Sequence, residues 1–104
     1  MPKLAASKPV HSSIEVALAS LPYDPMVRFG QHVAALRRAQ GMSQESLTLD
    51  SGLARSYLGG VERGQRNIAL VNICRLAQAL GLPPARLLEF DTGAGSSKRR
   101  SGIK

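Results

Sequence analysis

Apolar residues recur at helical spacing along the middle of the chain, and glycine or proline interrupts the pattern at each break. Phe29, Val33 and Leu36 share one face of a stretch from about Pro25 to Gln40, with Gly41 just past its end. Leu70, Ile73, Cys74, Ala77 and Leu80 follow i, i+3, i+4, i+7, i+10 spacing, and Gly81 stops that stretch. Two shorter helices are predicted between them. One covers Gln44 to Ser51 and is led in by Ser43; the other runs from about Ala54 to Gly64. Gly52 stands where these two must turn sharply, and a positive φ costs glycine little. Leu47, Leu53, Leu58 and Val61 are spaced to meet inside the resulting angle. After Pro83-Pro84 a short last helix is predicted over about Pro84 to Glu89, with Leu87, Leu88 and Phe90 apolar. No segment alternates with the period of a strand, so the predicted class is all-α.

The pattern fades at both ends. Residues 1–11 mix Pro, Lys and Ser and read as disordered. Ser12 and Glu15 have capping-box spacing, and a short helix is predicted from about Ser13 to Ser20, stopped by Pro22 and Pro25. This arm either packs on the domain or binds a protein partner; the residues do not choose. Residues 91–104 are Gly/Ser-rich and then basic, and read as a flexible tail. The organisation is therefore a domain over 25–90, an extension over 1–24 and a tail over 91–104.

Composition sharpens this picture. With 4% aromatic residues, the core must be built from Leu, Ile, Val and Ala, which suits a helical bundle. The net charge of +7 favours a polyanionic partner. Residues 28–90 carry eight arginines against Glu45, Asp50, Glu62 and Glu89, so the predicted domain is itself basic. A lone cysteine, Cys74, excludes an intrachain disulfide framework and fits a reducing cytoplasm; its place on the apolar stripe makes it an expected core residue. No stretch reaches the roughly 18–20 apolar residues of a membrane span, and the N-terminus has no apolar signal region.

The paired short helices from Gln44 to Gly64 form a helix-turn-helix pattern, the unit that places its second helix in the DNA major groove. Phe29-Gly30, Ala35-Leu36-Arg37, Gly41-Met42-Ser43-Gln44-Glu45-Ser46-Leu47, Ser51-Gly52-Leu53, Val61-Glu62-Arg63-Gly64 and Arg66-Asn67 together resemble the Cro/C1-type (XRE) family over about residues 27–90. The resemblance implies a five-helix, lambda-repressor-like DNA-binding domain whose third helix reads base edges. It puts Arg55 and Ser56 where the family contacts bases, with Tyr57 beside them. Gly59 and Gly60 fall on the next outward turn, where readers are usual. Gln44 and Arg66-Asn67 match phosphate-contacting positions. Arg37 and Glu62 match an ion pair that ties the first helix to the third.

Arg55 is the preferred base reader, because its planar fork can bond guanine O6 and N7 together. Gly60 offers close approach to the groove floor, or is simply a tolerated glycine. Ser43 and Gln44 open a helix whose free amides suit a phosphate, although Ser43 also serves as the cap. Arg38 is a further phosphate candidate. Thr48, Ala54 and the Gly59-Gly60 pair depart from the family pattern and soften the third helix. Leu82, Leu87, Leu88 and Phe90 are more apolar than a short terminal helix needs; they close the core or meet a two-fold mate, and dimerisation is the preferred reading. Leu49 is expected on an outer face.

His11 and His32 lie in separate segments, so neither a metal site nor a cofactor is expected, and no acid/base pair or phosphate-binding loop suggests an enzyme. The expected partner is double-stranded DNA, bound by a homodimer acting as a cytoplasmic transcriptional regulator. Phage-type repressor, restriction-modification controller and antitoxin remain open within that class. The rival is a protein-interaction module that kept the fold without specific DNA binding. A membrane-surface role lacks any helix with one strong apolar and one continuous basic face.

Overall fold

The computed structural model describes residues 20–93. The predicted helix near Ser13 to Ser20, apart from Ser20 itself, and most of the basic tail lie outside these residues. Among the described residues there are five helices and no strand: α1 (Pro25–Ala39), α2 (Gln44–Ser51), α3 (Arg55–Glu62), α4 (Leu70–Leu80) and α5 (Pro84–Leu87).

The helix ends follow from local chemistry. Asp24 caps α1, its carboxylate accepting from the backbone N–H of Met26 at 3.0 Å, and Pro25 supplies the fixed φ of a first helical position. Ser43 Oγ accepts from the Ser46 N–H at 3.0 Å and starts α2. Gly52 ends α2 at φ +78°, a conformation that lets the chain turn within three residues and restart as α3. Gln40 Nε2 donates to the Leu80 carbonyl at 2.8 Å, so the end of α1 also closes the end of α4.

Leu47, Leu58, Val33, Val61, Leu76 and Leu87 are fully buried and form the centre of the core, with Phe29, Leu53, Ala77 and Leu80 around them. Helix α1 approaches α3 closely because Gly30 has no side chain. A Cβ there would strike the Val61 carbonyl oxygen and lie 2.8 Å from that of Glu62.

Two predicted placements change. On α4 the core face is Ile73, Leu76, Ala77 and Leu80; Leu70 is 72% exposed and Cys74 is exposed. The i, i+3, i+4, i+7 run that begins at Ile73 is the one that faces α2 and α5, and Leu70 and Val71 at the start of α4 stay in solvent. Leu87, assigned to a dimer interface, is 0% exposed within one chain. Helix α5 folds back on α1 and α4, held by a 2.7 Å contact between His32 Nε2 and the Arg86 carbonyl, and Leu87 points into the core. Leu82 and Phe90 are half-buried against the core, and Leu88 is exposed.

Candidate nucleic-acid interface

The site is the pair α2–α3 and what holds α3 at its angle. Gly52, Leu53 and Ala54 make the turn. Leu53 is buried, and its N–H donates to Ser51 Oγ at 3.3 Å, which satisfies a polar group the turn would otherwise strand. Ala54 begins α3 in an extended conformation with no side-chain cap.

Arg37 and Glu62 brace α3 against α1. The guanidinium meets the carboxylate in a two-point contact, Nε–Oε2 at 2.8 Å and Nη2–Oε1 at 3.0 Å, and Nη1 donates to the Met42 carbonyl at 2.8 Å. Both side chains are almost wholly buried, at 10% and 6% exposure. The hydrogen bonds with Glu62 hold the Arg37 pKa above its ordinary value, while burial acts in the opposite direction. Gln44 Nε2 donates to Glu62 Oε1 at 2.7 Å. The half-buried Gln44 side chain is thus part of the brace.

With Leu58 and Val61 turned into the core, α3 presents Arg55 and Ser56 to solvent. Neither makes a hydrogen bond or ion pair among the described residues. Tyr57 is half-buried: Asn72 Nδ2 donates to its hydroxyl at 3.2 Å, and the Arg66 guanidinium carbon lies 5.6 Å from its ring centroid. These contacts hold the ring, which also packs against the core.

Gly60, expected as an open base-contact position, is buried. The cover is the Arg66 side chain: a Cβ on Gly60 would lie 2.9 Å from Arg66 Cγ. Arg63 lies over Gly59 in the same way, and its Nε donates to Gln65 Oε1 at 3.1 Å. Ser43, Arg38, Arg66 and Asn67 are all exposed, as phosphate contacts require. Leu49 is 77% exposed on the outer side of α2. Thr48, half-buried under the crossing of α2, keeps a buried hydroxyl that has no partner among the described residues.

An apolar groove of about 450 Å³ lies beside this surface, lined chiefly by Pro25, Met26, Phe29, Ile73, Leu88 and Phe90. Among the described residues, no group of three or more His, Cys, Asp or Glu side chains is placed to hold a metal, and no helix is long and apolar enough to cross a membrane.

A helix-turn-helix family model matches residues 33–87. The control protein C.BamHI of Bacillus amyloliquefaciens is 45% identical over 65 residues, which are 62% of this chain and 80% of that protein. The crystal structure of the restriction-modification controller protein C.AhdI from Aeromonas hydrophila superposes with a TM-score of 0.61 at 58% identity, covering 62% of this chain and 98% of the other. The controller C.Esp1396I, solved as a tetramer on its natural 35-base-pair operator, gives a TM-score of 0.60 at 25% identity, over 64% of this chain and 88% of the other.

Proposed function

Because this chain belongs to the Cro/C1-type helix-turn-helix family, we propose that it is a homodimeric, sequence-specific DNA-binding transcriptional regulator of the restriction-modification controller kind, acting in the cytoplasm. One observation carries the reading: α3 presents Arg55 and Ser56 unencumbered, on a helix braced by a buried two-point ion pair. A helix held so firmly at one side can enter the major groove as a rigid unit, with little reorganisation on binding.

Arg55 is the direct reader, bidentate to a guanine, and Ser56 adds a weaker contact. The first amides of α2, with Ser43 and Gln44 at its start, meet one phosphate; Arg38, Arg66 and Asn67 meet others and fix the register. With few readers on α3, DNA shape and deformability share in the specificity. The exposed Leu88 and half-buried Phe90 at the groove, with half-buried Leu82, form the face for a second copy. Such a dimer reads two half-sites about 34 Å apart on one side of the duplex. The controller assignment follows the similarity to C.AhdI and C.BamHI.

The test is selection from random duplex DNA at two salt concentrations, with Arg55→Ala alongside wild type. The expected result is an enriched palindrome that Arg55→Ala blurs at a guanine. Salt-sensitive binding with no enriched site, unchanged by Arg55→Ala, refutes it. Leu88→Glu is expected to give a monomer by analytical ultracentrifugation and to weaken operator binding.

A further inference from the structure

We propose that Gly60 is a positioning residue for DNA recognition: its missing side chain seats the stem of Arg66 across α3, so that Gly60 and Tyr57 together hold the guanidinium ready for the nucleic acid. The role rests on the DNA-binding reading above.

Three contacts build the seat. A Cβ on Gly60 would lie 2.9 Å from Arg66 Cγ and 3.2 Å from Arg66 Nε, so the stem occupies the space a side chain would take. Gly60 is buried, and the three atoms nearest its absent Cβ all belong to Arg66. Tyr57, three residues earlier and hence on a neighbouring part of the helix surface, supplies the second wall, with the guanidinium carbon 5.6 Å from the ring centroid. Asn72 on α4 then fixes the ring through its 3.2 Å hydrogen bond to the tyrosine hydroxyl. Arg66 belongs to the loop after α3, but its charge is held against the helix by α3 and α4 together.

This arrangement gives the glycine a purpose that helix propensity alone denies it, since alanine is favoured at an interior helical position. An arginine free on a loop must surrender much of its rotamer freedom when it grips a phosphate or a base edge. One already laid between a ring and a glycine surrenders less on binding and holds its planar fork at a fixed angle. The same geometry recurs one residue back, where a Cβ on Gly59 would lie 3.0 Å from Arg63 Nη1.

The experiment uses the full chain and the operator recovered by selection. Affinity, its salt dependence and urea stability are measured for wild type, Arg66→Ala, Gly60→Ala and the double variant. Arg66→Ala is expected to weaken binding about tenfold and to lower the slope of affinity against salt by about one. Gly60→Ala is expected to weaken binding by a similar factor with no loss of stability, and the double variant to bind no worse than either single one. A purely structural role for Gly60 would not produce that non-additivity. A DNA-free readout accompanies it: the δ-methylene protons of Arg66 are expected upfield from the Tyr57 ring current, and to lose that shift in Gly60→Ala.

Wild-type affinity in Gly60→Ala, losses that add to about a hundredfold in the double variant, or a ring-current shift that survives Gly60→Ala each overturn this role alone. A wild-type protein that selects no operator overturns the parent reading and this role with it.

Discussion

Replacing Arg37 with methionine removes the guanidinium and keeps most of the stem. Three donors disappear: the two that meet Glu62 at 2.8 and 3.0 Å and the one that meets the Met42 carbonyl at 2.8 Å. Glu62 is left 6% exposed, with Gln44 as its remaining partner. Breaking one side of a buried pair costs about 3–5 kcal/mol, because an uncompensated charge stays in the interior. Glu62 is the last residue of α3, where fraying can bring its carboxylate toward water, so the low end of about 3 kcal/mol applies. In a domain this small, that lowers the melting temperature by on the order of 15 °C.

The companion Arg37→Met/Glu62→Leu removes both charges and is expected to recover most of the loss. Urea unfolding followed by far-UV circular dichroism measures all three proteins, and an unchanged m-value certifies that the native state is compared like for like. The sign of the pH dependence is fixed. A raised arginine pKa contributes stability at every pH below the ordinary arginine range and loses it only as pH rises through that range. The difference between wild type and Arg37→Met therefore stays flat across neutral pH as far as Arg37 is concerned. A cost below about 1 kcal/mol for Arg37→Met would equate the pair with an exposed one and refute the reasoning, as would a double variant no more stable than the single.

The remaining predictions concern α3 and what meets it. Ala54→Ser supplies the missing cap of α3 and should raise stability by about 1 kcal/mol in the same urea titration. Thr48→Val removes a buried hydroxyl that lacks a partner and keeps the side-chain shape; a gain of about 1 kcal/mol is expected. Gly30→Ala drives a methyl into the carbonyls of Val61 and Glu62, so α1 and α3 must part, and thermal melts should show a loss of about 2–4 kcal/mol. Operator affinity measured on the same Gly30→Ala protein should fall as well, since that contact sets the angle at which α3 stands.

Much of the fold is legible because its signals are local. Ser43 and Gly52 bound α2 by chemistry that acts within a few residues, and Gly81 ends α4 likewise. Ile73, Ala77 and Leu80 of the predicted stripe face the core, whereas Leu70 and Cys74 do not and Leu76 does, because Leu70 and Cys74 satisfy helical spacing as well as Leu76. Which stripe is buried depends on the neighbours of α4, and the sequence of α4 does not contain them. Leu87 and Leu88 show the same limit: two adjacent leucines are indistinguishable in the chain, and the return of α5 onto α1 and α4 buries one and exposes the other. At the site, Arg55 and Ser56 follow from the family pattern. Burial of Gly60 under Arg66 does not.

The sequence by itself determined the helices of the domain, the turn at Gly52, its basic charge and the helix-turn-helix pattern. Each rests on periodicity, backbone preference or formal charge, which are properties of residues and their near neighbours. Tertiary structure decided how each arginine is held. Arg37 is buried against Glu62 from the other side of the core, Arg66 is laid over Tyr57 and Gly60, and Arg55 stands exposed in solvent. The three side chains are chemically identical. Their environments differ through desolvation and through partners that the fold brings from distant positions, and neither is encoded at the arginine itself.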